Sequence, residues 1–224
     1  MSEGSECEPA RVGGSLCFHR VCIGLAGRRL IDLDTCIEPG EVLTVMGPSG
    51  CGKSSLLAFV AGFLDPVFNA SGSIALGGRE ITALAAEERG VGLLFQDALL
   101  FPHMSVGGNL AFALPRDPAM NPAMRRTRIE EALAEAGLPG MADRDPATLS
   151  GGQQSRVALM RVLLARPSAL LLDEPFSSLD SELRQQIRDF VFAEARTRRL
   201  PVLLVTHDPA DAAAAGGRVI ELAG

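Results

Sequence analysis

Apolar positions along the chain fall into short runs separated by Gly and Pro turns, and the period of the runs changes along the chain. Residues 16–37 are strand-like, with Gly24 and Gly27 marking a turn between two strands. Glu38-Pro39-Gly40 is a turn leading into an apolar run at 41–46, a buried strand. The spacing becomes helical over 54–63. An irregular stretch runs from Asp65-Pro66 to Gly72, followed by a short strand at 73–76 closed by Gly77-Gly78. Another apolar strand at 91–95 ends in Gln96. The segment 97–149 differs in character: it holds Pro102, Pro115, Pro118 and Pro122 and a helical stretch at 123–136. It reads as a mainly helical insertion between core strands. A helix then runs to about residue 165, where Arg166-Pro167 ends it. Beyond it come a strand at 169–172 ending in Asp173-Glu174, a helix at 180–199, a strand at 202–206 ending at His207 and a last strand at 218–222. Strands alternating with helices imply a parallel sheet with right-handed crossovers, hence an α/β fold.

One turn in this pattern carries recognisable chemistry. Gly47-Pro48-Ser49-Gly50-Cys51-Gly52-Lys53-Ser54-Ser55 lies between a strand and a helix and has the phosphate-loop spacing. Its glycines let backbone N–H groups face phosphate oxygens, and the helix start adds partial positive charge. Lys53 is placed to reach the β- and γ-phosphates of a nucleotide, and the Ser54 hydroxyl to take a Mg²⁺ position. The apolar strand that ends in Asp173 sets a carboxylate beside this loop, where it can orient Mg²⁺, and Glu174 can polarise an attacking water.

A second Gly turn before a helix, Leu149-Ser150-Gly151-Gly152-Gln153, also presents N–H groups and a hydroxyl to an anion. One nucleotide cannot easily occupy both helix starts of a compact protomer. A face-to-face homodimer resolves this, with each turn capping the nucleotide held by the other chain.

Taken in order, the phosphate loop, Gln96, Leu149 to Gln154, Leu170 to Pro175, Ser178-Leu179-Asp180 and His207 resemble the ATP-binding cassette ATPases, over residues 16–222. The resemblance implies a phosphate-loop NTPase (RecA-like) core with a mainly parallel sheet, an N-terminal antiparallel β-subdomain and a helical subdomain at about 97–157. It implies ATP and Mg²⁺ as ligands and ATP hydrolysis as the activity. It makes Gln96 the residue that touches Mg²⁺ or water and senses a membrane partner. Glu174 becomes the catalytic base, Asp180 the residue joining the two sites, and His207 the switch histidine contacting the γ-phosphate. The run from Leu172 to Asp180 resembles import ATPases for thiamine, molybdate, iron and polyamines, and residues 93–110 resemble thiamine-type and YnjD-type subunits. The expected partners are transmembrane permease subunits and an external solute-binding protein. An export or lipoprotein-release ATPase is the alternative. One departure stands out: the slot for an adenine-stacking aromatic falls on Leu25, with Phe18 as another source of a ring.

Composition narrows the picture further. The chain has 224 residues, enough for one domain, and a net charge of −6, which argues against broad nucleic-acid binding. The N-terminus is acidic and polar, unlike a signal peptide, and no apolar run approaches the ~20 residues of a membrane span. A place at the cytoplasmic face of the membrane, through permease subunits, is therefore expected. Residues 1–12 read as a loose tail, residues 13–224 as a single cassette, and no C-terminal regulatory domain is expected. The five cysteines, Cys7, Cys17, Cys22, Cys36 and Cys51, contain no CxxC and fit reduced thiols, with no disulfide frame or zinc site.

Overall fold

The computed structural model describes residues 14–177, 179 and 181–222. The expected tail at 1–12 and the positions Ser178 and Asp180 lie outside the described residues. The first half of the chain gives β1 (Leu16–Leu25), β2 (Arg28–Ile37), β3 (Val42–Met46), α1 (Lys53–Ala61), β4 (Asn69–Leu76), β5 (Arg79–Glu80) and β6 (Val91–Leu94). The helical insertion holds α2 (Val106–Ala113), α3 (Pro122–Glu135) and the start of α4 (Gly151–Leu164). The chain then alternates through β7 (Ala169–Asp173), α5 (Ser181–Thr197), β8 (Val202–Thr206), α6 (Pro209–Ala215) and β9 (Arg218–Glu221).

Two sheets result. One has four strands in the order β2-β1-β4-β5, with antiparallel pairs. The other has five in the order β6-β7-β8-β3-β9, and every pair in it is parallel. Side chains alternate across the parallel sheet and divide the core in two. Leu43, Val45, Leu171, Leu203 and Val205 pack with α1 and the antiparallel sheet. Val42, Leu170, Leu172, Val202 and Leu204 pack on the other face with the helices of the insertion and α5. The central strands are buried on both faces, which explains their unbroken apolar runs.

Three local expectations are corrected. The stretch before residue 73 is not irregular, because β4 begins at Asn69 and pairs with Gly24 of β1. A bulge at Arg20, with φ 49°, absorbs the register shift, and Gly72 faces it. A Cβ on Gly72 would lie 2.3 Å from the Arg20 carbonyl oxygen, so only glycine fits there. The Gly-rich start of α2 hid that helix from its sequence; Ser105 caps it, accepting from the Gly108 N–H at 3.1 Å. The thiols of Cys17 and Cys36 are joined in a disulfide rather than free. The two residues sit directly opposite each other on β1 and β2, a tertiary relation that spacing along the chain does not encode. Among the described residues, Cys22 and Cys51 are free.

Candidate active site

Features from distant parts of the chain converge at the carboxyl ends of β6, β7, β8 and β3, which are neighbours in the parallel sheet. The phosphate loop follows β3 and turns into α1 through Gly52, which has φ 101°. A Cβ there would lie 3.0 Å from the Leu30 Cβ, in a backbone conformation that side chains resist. No side chain caps α1, so its first N–H groups remain directed at the loop's concavity. The buried Lys53 donates from Nζ to the carbonyls of Gly47 at 2.8 Å and Pro48 at 2.9 Å. Its cation thus lies within the loop. Cys51 is buried beneath the loop, and a Cβ on Gly47 would meet its Sγ at 2.8 Å.

The Ser54 hydroxyl donates to Asp173 Oδ1 at 3.4 Å, joining the loop to the end of β7. Burial holds the Asp173 carboxyl above the usual carboxylate range, and neighbouring Glu174 adds to this; the Ser54 bond and the Lys53 charge oppose it. Glu174 follows in the left-handed region, with φ 45°, and its N–H donates to the Val205 carbonyl at 2.9 Å. That unusual backbone turns its side chain toward β8. His207 Nδ1 lies 3.1 Å from Glu174 Oε2. Ser54, Gln96, Asp173 and Glu174, with Phe95, Asp97 and Leu99, line one cleft of about 370 Å³. An adjoining cleft of about 340 Å³ shares Ser54, Phe95 and Asp173 and is walled by Phe63 and Phe68.

The structure therefore unites Gly47 to Ser55, Gln96, Asp173, Glu174 and His207. Ser150, Gly151, Gly152 and Gln153 form a separate group, and none of them lines those two clefts. They open α4 as a capping box: the Ser150 hydroxyl accepts from Gln153 N–H at 3.4 Å, and Gln153 Oε1 accepts from Ser150 N–H at 3.0 Å. The two glycines serve different ends. A Cβ on Gly151 would meet nothing within 4 Å, so that face is open, whereas one on Gly152 would strike Leu183 of α5 at 2.5 Å. Phe18 is fully buried in the core and offers no ring to a nucleotide.

Two arginines that sequence reading passed over support the site. Arg89 donates to the carbonyls of Phe59 and Val60 at the end of α1, at 2.7 and 3.0 Å, and to those of Leu84 and Thr82. Its buried guanidinium caps the negative end of the helix whose positive end forms the phosphate loop. Arg161 of α4 donates to the carbonyls of Ala98 and Leu99, just past Gln96, and lies 5.2 Å from the centre of the Phe101 ring.

The chain is similar to known proteins. A model of the family described as ABC transporter matches residues 30–177. The uncharacterized ABC transporter ATP-binding protein YnjD of Escherichia coli is 48% identical over 197 residues, covering 88% of this chain and 90% of its own length. An Fe(3+) ions import ATP-binding protein, FbpC 1 of Rhizobium meliloti, is 44% identical over 92% of this chain, which spans 58% of that relative. The Frankia alni spermidine/putrescine import protein PotA is 44% identical over 86% of the chain and 40% of itself. A solved dimeric structure of the ATP-binding cassette MJ0796, in a post-hydrolysis state with ADP and Pi, matches with a TM-score of 0.76. It is 29% identical, and the match covers 92% of this chain and 94% of that one.

Proposed function

The chain belongs to the ABC transporter family of ATP-binding, ATP-hydrolysing proteins, and from that premise we propose that it is the ATPase subunit of a membrane importer. One observation carries the catalytic part. Ser54, Gln96, Asp173 and Glu174 line a single cleft beside the phosphate loop, and His207 touches Glu174. The import names of FbpC and PotA support the direction of transport.

The residues divide the work. The loop N–H groups and Lys53 bind the triphosphate. Glu174 accepts a proton from the attacking water, and His207 orients the Glu174 carboxylate on one side and faces the γ-phosphate on the other. Ser54, Asp173 and Gln96 supply a hydroxyl, a carboxylate and an amide oxygen, a hard-oxygen set that suits Mg²⁺ with its preference for few protein ligands. When bound, that ion neutralises charge on the β- and γ-phosphates. The signature turn, Ser150 to Gln153, serves the nucleotide of a second protomer, and Asp180 joins the two sites.

ATP closes the homodimer, and loss of the γ-phosphate opens it. Exposed Phe63, Phe95 and Leu99 form an apolar rim beside Gln96 that receives a helix of the permease. No helix among the described residues is long and apolar enough to cross a membrane. In this reading the subunit reaches the cytoplasmic face of the membrane through the permease, which, with any external solute-binding protein, chooses the cargo.

Replacing Glu174 with Gln is the direct test. The expected result is loss of turnover with retained ATP binding, and an ATP-dependent dimer detected by light scattering. Near-normal hydrolysis would remove Glu174 from the role of base.

A further inference from the structure

The loops after β7 and β8 carry Glu174 and His207, and a single guanidinium joins the two loops behind the reacting groups. Arg184, in the first turn of α5, donates from Nη1 to Asp208 Oδ2 at 2.6 Å. From Nη2 it donates to the carbonyls of Leu179 at 3.2 Å and Ser177 at 3.4 Å. Ser177 in turn is anchored to Glu174, whose carbonyl accepts both its N–H and its hydroxyl. Asp208 is the neighbour of His207, and its other oxygen, Oδ1, accepts from Ala210 N–H at the start of α6.

A second link lies one helical turn along the same face of α5. Buried Arg188 pairs with buried Asp211 at 3.0 Å, and Asp211 Oδ2 accepts from the Thr206 hydroxyl at 3.1 Å. Thr206 precedes His207, and its Oγ1 accepts from the Asp208 N–H at 3.0 Å. The backbone is thus tied on both sides of His207.

From this geometry we infer that Arg184 is a positioning residue for hydrolysis. It fixes the Glu174 loop against the His207 loop, so that carboxylate and imidazole keep their spacing while nucleotide comes and goes. The planar fork matters as much as the charge. Lysine could reach Asp208 or a carbonyl, but not hold all three with one rigid group. The inference rests on the roles proposed above for Glu174 and His207.

Steady-state hydrolysis and ATP titration of Arg184→Met, Arg184→Lys, Asp208→Asn and the Arg184→Met/Asp208→Asn double variant test it, with thermal unfolding as control. A displacement of about 1 Å at a reacting group can cost on the order of 100-fold in rate. The expected result is kcat reduced about 10- to 100-fold in Arg184→Met, with KM and ATP affinity within about twofold of wild type. Arg184→Lys should fall nearly as far, and the double variant no further than Arg184→Met. Wild-type kcat in Arg184→Met, or additive losses in the double variant, would overturn the inference. So would an equal loss of ATP affinity and kcat. Should Arg184→Met fail to fold, Arg184→Lys and Asp208→Asn carry the same kcat-against-KM comparison. A parallel Glu174→Gln protein separates the two levels. Full activity there refutes the assigned base, whereas the Arg184 series reports on the link between loops.

Discussion

The two helix starts that present N–H groups to anions are built in opposite ways. At α1 the N-cap is Gly52, with no side chain to satisfy the first amides, and Lys53 stands within the loop. At α4 the N-cap is Ser150, and serine and glutamine satisfy each other's amides through a closed capping box. The first start leaves all its first amides to a ligand; at the second the box satisfies the amides of Ser150 and Gln153 and leaves only those of Gly151 and Gly152 to one. This difference suits a nucleotide held firmly by one protomer and met only transiently by the signature turn of another.

Removing the cation from the open start should have the largest effect. A charged hydrogen bond contributes about 1.5–3 kcal/mol, so Lys53→Met should weaken ATP binding by roughly 10- to 100-fold, read by nucleotide titration. At the closed start the loss should fall on the fold instead. Ser150→Ala should cost about 1 kcal/mol in denaturant unfolding, lower kcat, and leave ATP affinity of the protomer unchanged. Weakened nucleotide binding in that variant would erase the contrast between the two starts.

A third effect follows from Asp173, the carboxyl beside the open start. Burial raises its folded pKa, so between the unfolded value and the folded one the native state binds more protons than the unfolded chain. Stability therefore falls as pH rises through that window and stays lower above it. Asp173→Asn removes the penalty. Without nucleotide and metal it should melt higher than wild type at neutral pH, read by thermal unfolding. The gain should vanish at pH below the ordinary carboxylate range.

The smallest effect concerns the base. Leu25, at the end of β1, offers contact but no aromatic face, and buried Phe18 cannot substitute. Leu25→Tyr should tighten ATP over GTP by no more than about fivefold, less than the upper range for base stacking. Strong ATP selectivity in the unaltered protein, with no gain from Tyr, would show that the ring comes from elsewhere.

The groups proposed above for the reaction were legible because each lies at or just past the end of an apolar strand, where neighbours in sequence are neighbours in space. Lys53 and Ser54 follow β3, Asp173 and Glu174 close β7, and His207 follows β8. The parallel order of those strands then brings the loops together. What stayed hidden depends on distant parts of the chain. The Cys17–Cys36 bond needs the β1–β2 register, α2 lies behind two glycines that disfavour a helix, and Arg89, Arg161 and Arg184 act on carbonyls, which leave no mark in sequence. Gly152, read as part of an anion-binding turn, also has a packing role that the sequence did not show: its lack of a side chain admits the Leu183 side chain of α5.

The cap that Arg89 places on α1 also bears on the order in which the chain is made. The helix that opens at Lys53 has its last carbonyls satisfied by a residue some thirty positions later, across β4 and β5. A nascent chain that has emerged only through α1 lacks that cap, as it lacks most of the strands the helix packs on. The end of the helix behind the phosphate loop therefore gains this cap only after β4 and β5 have been synthesised.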